Sequence, residues 1–227
     1  MASIEKPTYK VNKKLIVSFL ITILLIAFLY LGNLGLGTAT TLIVTILVLV
    51  IAYIEYKNKI WSSLGFSKKH FNYKNILVKA PLTAILIVVI YTWLLTPIIT
   101  SITKVGIDLS AFDFLKGNLS NLLITLPLVW ISAAFGEEII FRGYLMTRFS
   151  TIFGKSTLSI LLNIILFSVF FGYIHNYQGL TGQLLSGTTG VILAIIFHFN
   201  KNNLWFNVIV HGTIDTIALV SIYFNLL

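Results

Sequence analysis

Long apolar stretches broken by short polar ones set the pattern of this chain. Seven stand out, at about residues 15–31, 39–54, 78–100, 119–136, 157–175, 183–199 and 204–224. Each is close to the ~20 residues that a helix needs to cross a hydrocarbon layer. None shows the alternation of apolar and polar positions that a barrel strand requires, and hydrocarbon gives an open backbone no hydrogen-bond partner. The pattern therefore predicts an all-α, polytopic transmembrane helical bundle of about seven or eight helices, forming a single membrane domain over residues 1–227.

Composition agrees, with 57% hydrophobic and 10% charged residues among 227 and a mean hydropathy of +0.95. Lys10, Lys13 and Lys14 precede the first apolar run in the manner of a signal peptide. Its length and the six runs behind it favour a retained helix. Placing the N-terminus in the cytosol puts 13 of the 16 basic residues on the cytosolic side, at Lys6–Lys14, Lys57–Lys79, Arg148 with Lys155, and Lys201. That arrangement predicts an external C-terminus, and the lysine-rich, low-charge composition points to an integral protein of a bacterial cytoplasmic membrane. The net charge of +9 sits between apolar runs rather than on a soluble face, so the expected partners are anionic membrane lipids and not nucleic acid. Residues 56–75 mix Trp61, Phe66, Phe71 and Tyr73 with lysines and are read as an interfacial anchor. The small residues of "GLTGQLLSGTTG" at 179–190 suit close helix packing better than phosphate binding.

Against this background a few polar residues are out of place. Four of the seven acids, Glu5, Glu55, Asp108 and Asp113, fall in loops or at helix ends. Glu137, Glu138 and Asp215 fall inside apolar runs, where a charge costs ~3 kcal/mol or more and marks a functional candidate. In "GEEIIFRG" the i, i+4 spacing lets Glu138 pair with Arg142, while Glu137 points about 100° away around the helix. Glu138 and Arg142 are thus assigned an orienting role and Glu137 the chemistry. Two of the four histidines join them. His175 lies one turn beyond Phe171, which would stack on it, and His211 lies one turn before Asp215. His70 and His198 are expected at solvated or interfacial positions.

One carboxylate, two imidazoles and a further acid on separate helices form an acid-base set of the kind that activates water. The absence of cysteine excludes thiolate chemistry. Ser132 has no nucleophile-elbow motif around it and no core lysine as a base, and the H-E-x-x-H zinc signature is missing. A rise of 1.5 Å per residue would leave His175 and His211 at different depths if every helix began at the surface. Residues 119–149 are therefore expected to form one long helix that carries Glu137 to mid-membrane and the chain further out before it returns.

These residues resemble the CPBP family of intramembrane proteases, which includes the prenyl-protein (CAAX) endopeptidases and bacterial bacteriocin-processing and abortive-infection proteins. E-E-x-x-x-R is met by Glu137, Glu138 and Arg142, F-x-x-x-H by Phe171 and His175, and H-x-x-x-N by His211 with Asp215 in place of asparagine. The likeness covers about residues 119–220, which would be the catalytic core, with residues 1–118 supplying N-terminal helices and the interfacial segment. It implies an intramembrane endopeptidase acting on a membrane-associated or lipidated peptide. Glu137 would activate water, His175 assist, and His211 with residue 215 stabilise the oxyanion. Asp215 either carries a proton and donates as asparagine would, or orients His211. No cofactor is required in this reading; the alternative is zinc held by Glu137, His175 and His211. Two other functions stay open, a non-catalytic regulatory or immunity protein of the same fold and a proton-coupled transporter. The oligomeric state is not indicated.

Overall fold

The computed structural model describes residues 13–32 and 38–227, and those residues are predominantly helical, with no strand among them. Glu5, Lys6 and Lys10, assigned above to a water-exposed flank, lie outside the described residues, as does the side chain of His70. Seven main helical runs follow one another: α1 (Lys13–Leu31), α2 (Thr38–Tyr56), α3 (Asn75–Thr103), α4 (Leu119–Phe153), α5 (Thr157–Tyr173), α6 (Gly179–Phe199) and α7 (Leu204–Tyr223). Six of the helical runs are long and apolar enough to cross a bilayer. The exception is α5, which the sequence offered as a span and which has only 17 residues. Large apolar side chains such as Leu24, Trp93 and Val169 face outward on α1, α3 and α5. A water-facing surface would not tolerate so many, and lipid is their natural solvent. The chain is an integral membrane protein.

The helices start where local chemistry starts them. Side-chain oxygens of Asn118, Ser156 and Asn203 accept from backbone N–H groups in the first turns of α4, α5 and α7. Centrally placed, α7 packs against α3, α4 and α6. Helices α5 and α6 pack closely, because glycines on both remove the bulk between them. A Cβ on Gly172 would stand 2.7 Å from the Gln183 carbonyl, and one on Gly190 would stand 3.0 Å from the Ser168 Cα. Of the glycines in the 179–190 segment, Gly187 and Gly190 pack against α5, whereas Gly179 opens α6 at a positive φ of +70°.

With 35 residues, α4 exceeds the length that a ~30 Å hydrocarbon layer demands. It passes Pro127 and then opens into wide π turns over Trp130–Glu137 and Ile139–Met146 before ending as a regular α-helix. The expectation of one long helix through the acidic motif holds. The π turns were not expected; they concentrate at functional positions in proteins because they re-aim side chains. Helix α4 runs on well beyond Glu137, and α5 returns from its far end. The rings of Phe171 on α5 and His211 on α7 consequently come within 6.0 Å, centroid to centroid.

Two charges sit otherwise than the sequence suggested. Arg148, taken as a flanking cation, is buried, and Glu55, taken as solvated, is its partner; Ser18 donates to the same carboxylate at 2.9 Å. The pair ties α1, α2 and the end of α4 together, and the Arg148 guanidinium also lies 4.8 Å over the Tyr56 ring. The 56–75 segment divides. Trp61 and Tyr73 are exposed as an anchor requires, but Phe66 turns into the core against Phe135 and Trp205.

Candidate active site

The site is assembled from α4, α5 and α7. Glu138 is fully buried and its carboxylate is saturated: Arg142 Nη1 donates at 2.7 Å, Asn207 Nδ2 at 3.1 Å, and His211 Nδ1 lies at 3.1 Å. The Arg142 guanidinium is equally committed. Its Nη2 donates to the Gly190 carbonyl at 3.0 Å, and its plane lies 4.8 Å over the Phe171 ring. A buried ion pair is tolerable only when further hydrogen bonds support it, and here Asn207, His211 and the Gly190 carbonyl do so. The i, i+4 pairing read from the sequence is therefore present.

Glu137 differs from its neighbour in every respect. It is 7% exposed, its Oε2 has no hydrogen-bond partner among the described residues, and His211 Nε2 lies 3.9 Å away. Asp215 Oδ2 is likewise without a partner and lies 3.6 Å from the same His211 nitrogen. Three polar atoms thus converge at distances too long for direct hydrogen bonds, a spacing suited to bridging by a small polar molecule.

His175 stands just past the end of α5, half-buried, with its ring 4.8 Å from that of Phe171. Its Nδ1 is 2.7 Å from the Phe171 carbonyl. A carbonyl can only accept, so Nδ1 carries the proton, and in the neutral ring Nε2 is the nitrogen left to accept. Phe171 touches both imidazoles, and His175 lies within electrostatic range of His211 and Arg142. Of the other candidates, Ser132 is buried and donates to the Leu128 carbonyl, and His198 is exposed at the end of α6. Among the described residues no three His, Cys, Asp or Glu side chains are disposed to hold a metal ion. No step below is routed through a metal.

Several supporting residues escaped the sequence reading. Asn207 precedes His211 by one turn and also donates to the Leu193 carbonyl at 2.8 Å, so Asn207, His211 and Asp215 form one stripe along α7. The spacing was visible, but a neutral amide in an apolar run attracts no notice. Trp130 lies flat on α7 at Gly212, where a Cβ would stand 2.6 Å from the indole, and its Nε1 donates to Thr216 Oγ1 at 3.1 Å. It braces the residues that follow His211 and Asp215. Tyr30 on α1 is within electrostatic range of Glu137, and Tyr177 of both Glu137 and Asp215.

Comparison with known proteins bears on the same segment. Neither a curated protein nor a solved structure matches the chain. A protein-family model does, and residues 119–217, which contain every residue of the three motifs, match the family described as type II CAAX prenyl endopeptidase Rce1-like.

Proposed function

We propose that the protein is a membrane-embedded endopeptidase that hydrolyses a peptide bond of a membrane-associated or lipidated peptide with water activated by Glu137. The observation that carries this reading is the contrast between two adjacent glutamates. Glu138 has no capacity left for chemistry, while Glu137 holds an unpartnered, nearly buried oxygen beside His211 Nε2.

In the proposed reaction a water oxygen attacks the scissile carbonyl and passes one proton to Glu137, with the His175 Nε2 lone pair accepting the other O–H to aim the nucleophile. The carbonyl oxygen becomes an oxyanion. It is met by a proton carried on His211 Nε2 or on Asp215 Oδ2, the latter taking the place of an asparagine donor. Collapse of the intermediate breaks the C–N bond, and Glu137 returns its proton to the leaving amine. Glu138, Arg142 and Asn207 fix the His211 ring so that Nε2 points at the reacting atoms. The lysine distribution supports a cytosolic N-terminus.

The test is a comparison of membrane-associated peptides in cells carrying the wild-type protein or Glu137→Ala. Loss of specific cleaved peptides in the variant is expected. An unchanged peptide profile together with an intact cellular phenotype would instead favour a peptide-binding protein of the same fold.

A further inference from the structure

Away from the acidic motif, the bundle end where α4 stops and α5 and α7 start carries a second concave region. A cavity of about 330 Å³ lies between the last turns of α4 and α6 and the first turns of α5. A neighbouring one of about 200 Å³ reaches the 62–69 segment, and the two share Thr147, Lys201 and Asn202 in their walls. The α6–α7 loop forms part of the larger cavity's wall and is held against the 62–69 segment. Leu204 N–H donates to the Gly65 carbonyl, and Gly65, with φ +99°, fits where a Cβ would stand 2.6 Å from the Asn202 carbonyl. Its wall is braced by Asn163, whose Nδ2 donates to the Met146 carbonyl and to Ser150 Oγ, each at 3.0 Å.

The chemistry of this region is one-sided. Lys155, Lys201 and His198 line the larger cavity and Lys69 with Lys201 the smaller, and among the described residues no acid lines either. Glu55, the acid that borders the same end of α4, is already engaged by Arg148 and Ser18. Exposed lysines gathered at the mouth of a polar recess make it a favourable place for an anion. The adjoining surface says which kind. Leu158, Leu161 and Leu162, on the same turns of α5 that wall the cavity, are at least half exposed and lie where hydrocarbon chains would cover them.

We propose that this recess binds the headgroup of an anionic glycerophospholipid, with its phosphate between Lys155 and Lys201 and its acyl chains along the outer face of α5. The site rests on the membrane location of the chain and not on its catalytic reading. It is connected to the motif helix, since Thr147 in its wall donates to the Arg142 carbonyl at 3.1 Å.

The experiment measures lipid binding to the full chain in nanodiscs or by native mass spectrometry, titrating phosphatidylglycerol against phosphatidylcholine and, separately, soluble glycerol 3-phosphate. A lysine near a headgroup phosphate contributes about fivefold, so Lys155→Gln with Lys201→Asn should weaken phosphatidylglycerol binding roughly twenty-five-fold. The charge-matched control Lys104→Asn with Lys116→Gln should leave it within about twofold of the wild type. Lys155→Gln alone, at an exposed position, provides the fivefold step with no packing change. Equal binding of the two lipids, or equal losses in the double variant and the control, overturns the proposal. Binding of glycerol 3-phosphate as tight as that of the lipid overturns it in favour of a soluble phosphate ester.

Discussion

Removing Arg142 while leaving Glu138 in place is the sharpest probe of how the site is held. Arg142→Met keeps most of the side-chain volume but deletes the 2.7 Å bond to Glu138 Oε1, the 3.0 Å bond to the Gly190 carbonyl and the cation over Phe171. Glu138 is fully buried, so its carboxylate would be left with only Asn207 and His211 for compensation. Breaking one side of a buried ion pair costs about 3–5 kcal/mol, chiefly because of the charge left behind. Replacing both partners with uncharged groups of similar size removes that penalty. Arg142→Met is therefore expected to lose ~3 kcal/mol or more of unfolding free energy, and Glu138→Gln with Arg142→Met to recover at least half of the loss. Steric trapping in bicelles, or denaturant titration in detergent, measures both. If Arg142→Met is as stable as the wild type, or if the double variant loses the sum of the two single losses, the pair is not the keystone described here. Hydrolysis should fail in the double variant even where stability returns, because His211 would lose its charged anchor.

Position 215 separates a donor from a mere spacer. Asp215→Asn, which keeps a hydrogen-bond donor at the atom nearest His211 Nε2, should retain activity within about tenfold, whereas Asp215→Leu should lose about 100-fold or more in kcat. A small backbone change tests the brace on α7. Gly212→Ala places a methyl 2.6 Å from the Trp130 ring and should lower both stability and turnover, and Trp130→Leu on the same background should recover stability without turnover. Cleavage in detergent should survive a strong chelator; complete loss that zinc restores would replace the proposed water activation with metal chemistry.

Different parts of this protein were legible in the sequence to different degrees, for physical reasons. The spans were legible because lipid leaves no option but long apolar helices, and the Glu138–Arg142 pair because i, i+4 geometry is local. The 17-residue α5 was not distinguishable from a true span, since its composition is apolar throughout. Arg148 looked like a flanking cation because its partner, Glu55, is 93 residues away in sequence. Asn207 and the Trp130–Gly212 contact depend on tertiary proximity between distant segments, which no periodicity records. The wide turns of α4 are likewise set by what packs against them. Thr41 and Thr45 of α2 close on Gly136, where a Cβ would stand 2.6 Å from Thr45 Oγ1.

The central claim is that Glu137 takes the proton of the attacking water, and hydrolysis in H₂¹⁸O with wild-type and Glu137→Gln protein measures it most directly. Mass spectrometry of a membrane-anchored peptide should show one ¹⁸O in each newly formed carboxyl group. The glutamine variant, nearly the same in shape but unable to accept the proton, should be slower by about 10²–10⁴-fold while folding and binding the peptide normally. Label incorporation by the glutamine variant at the wild-type rate would contradict the account.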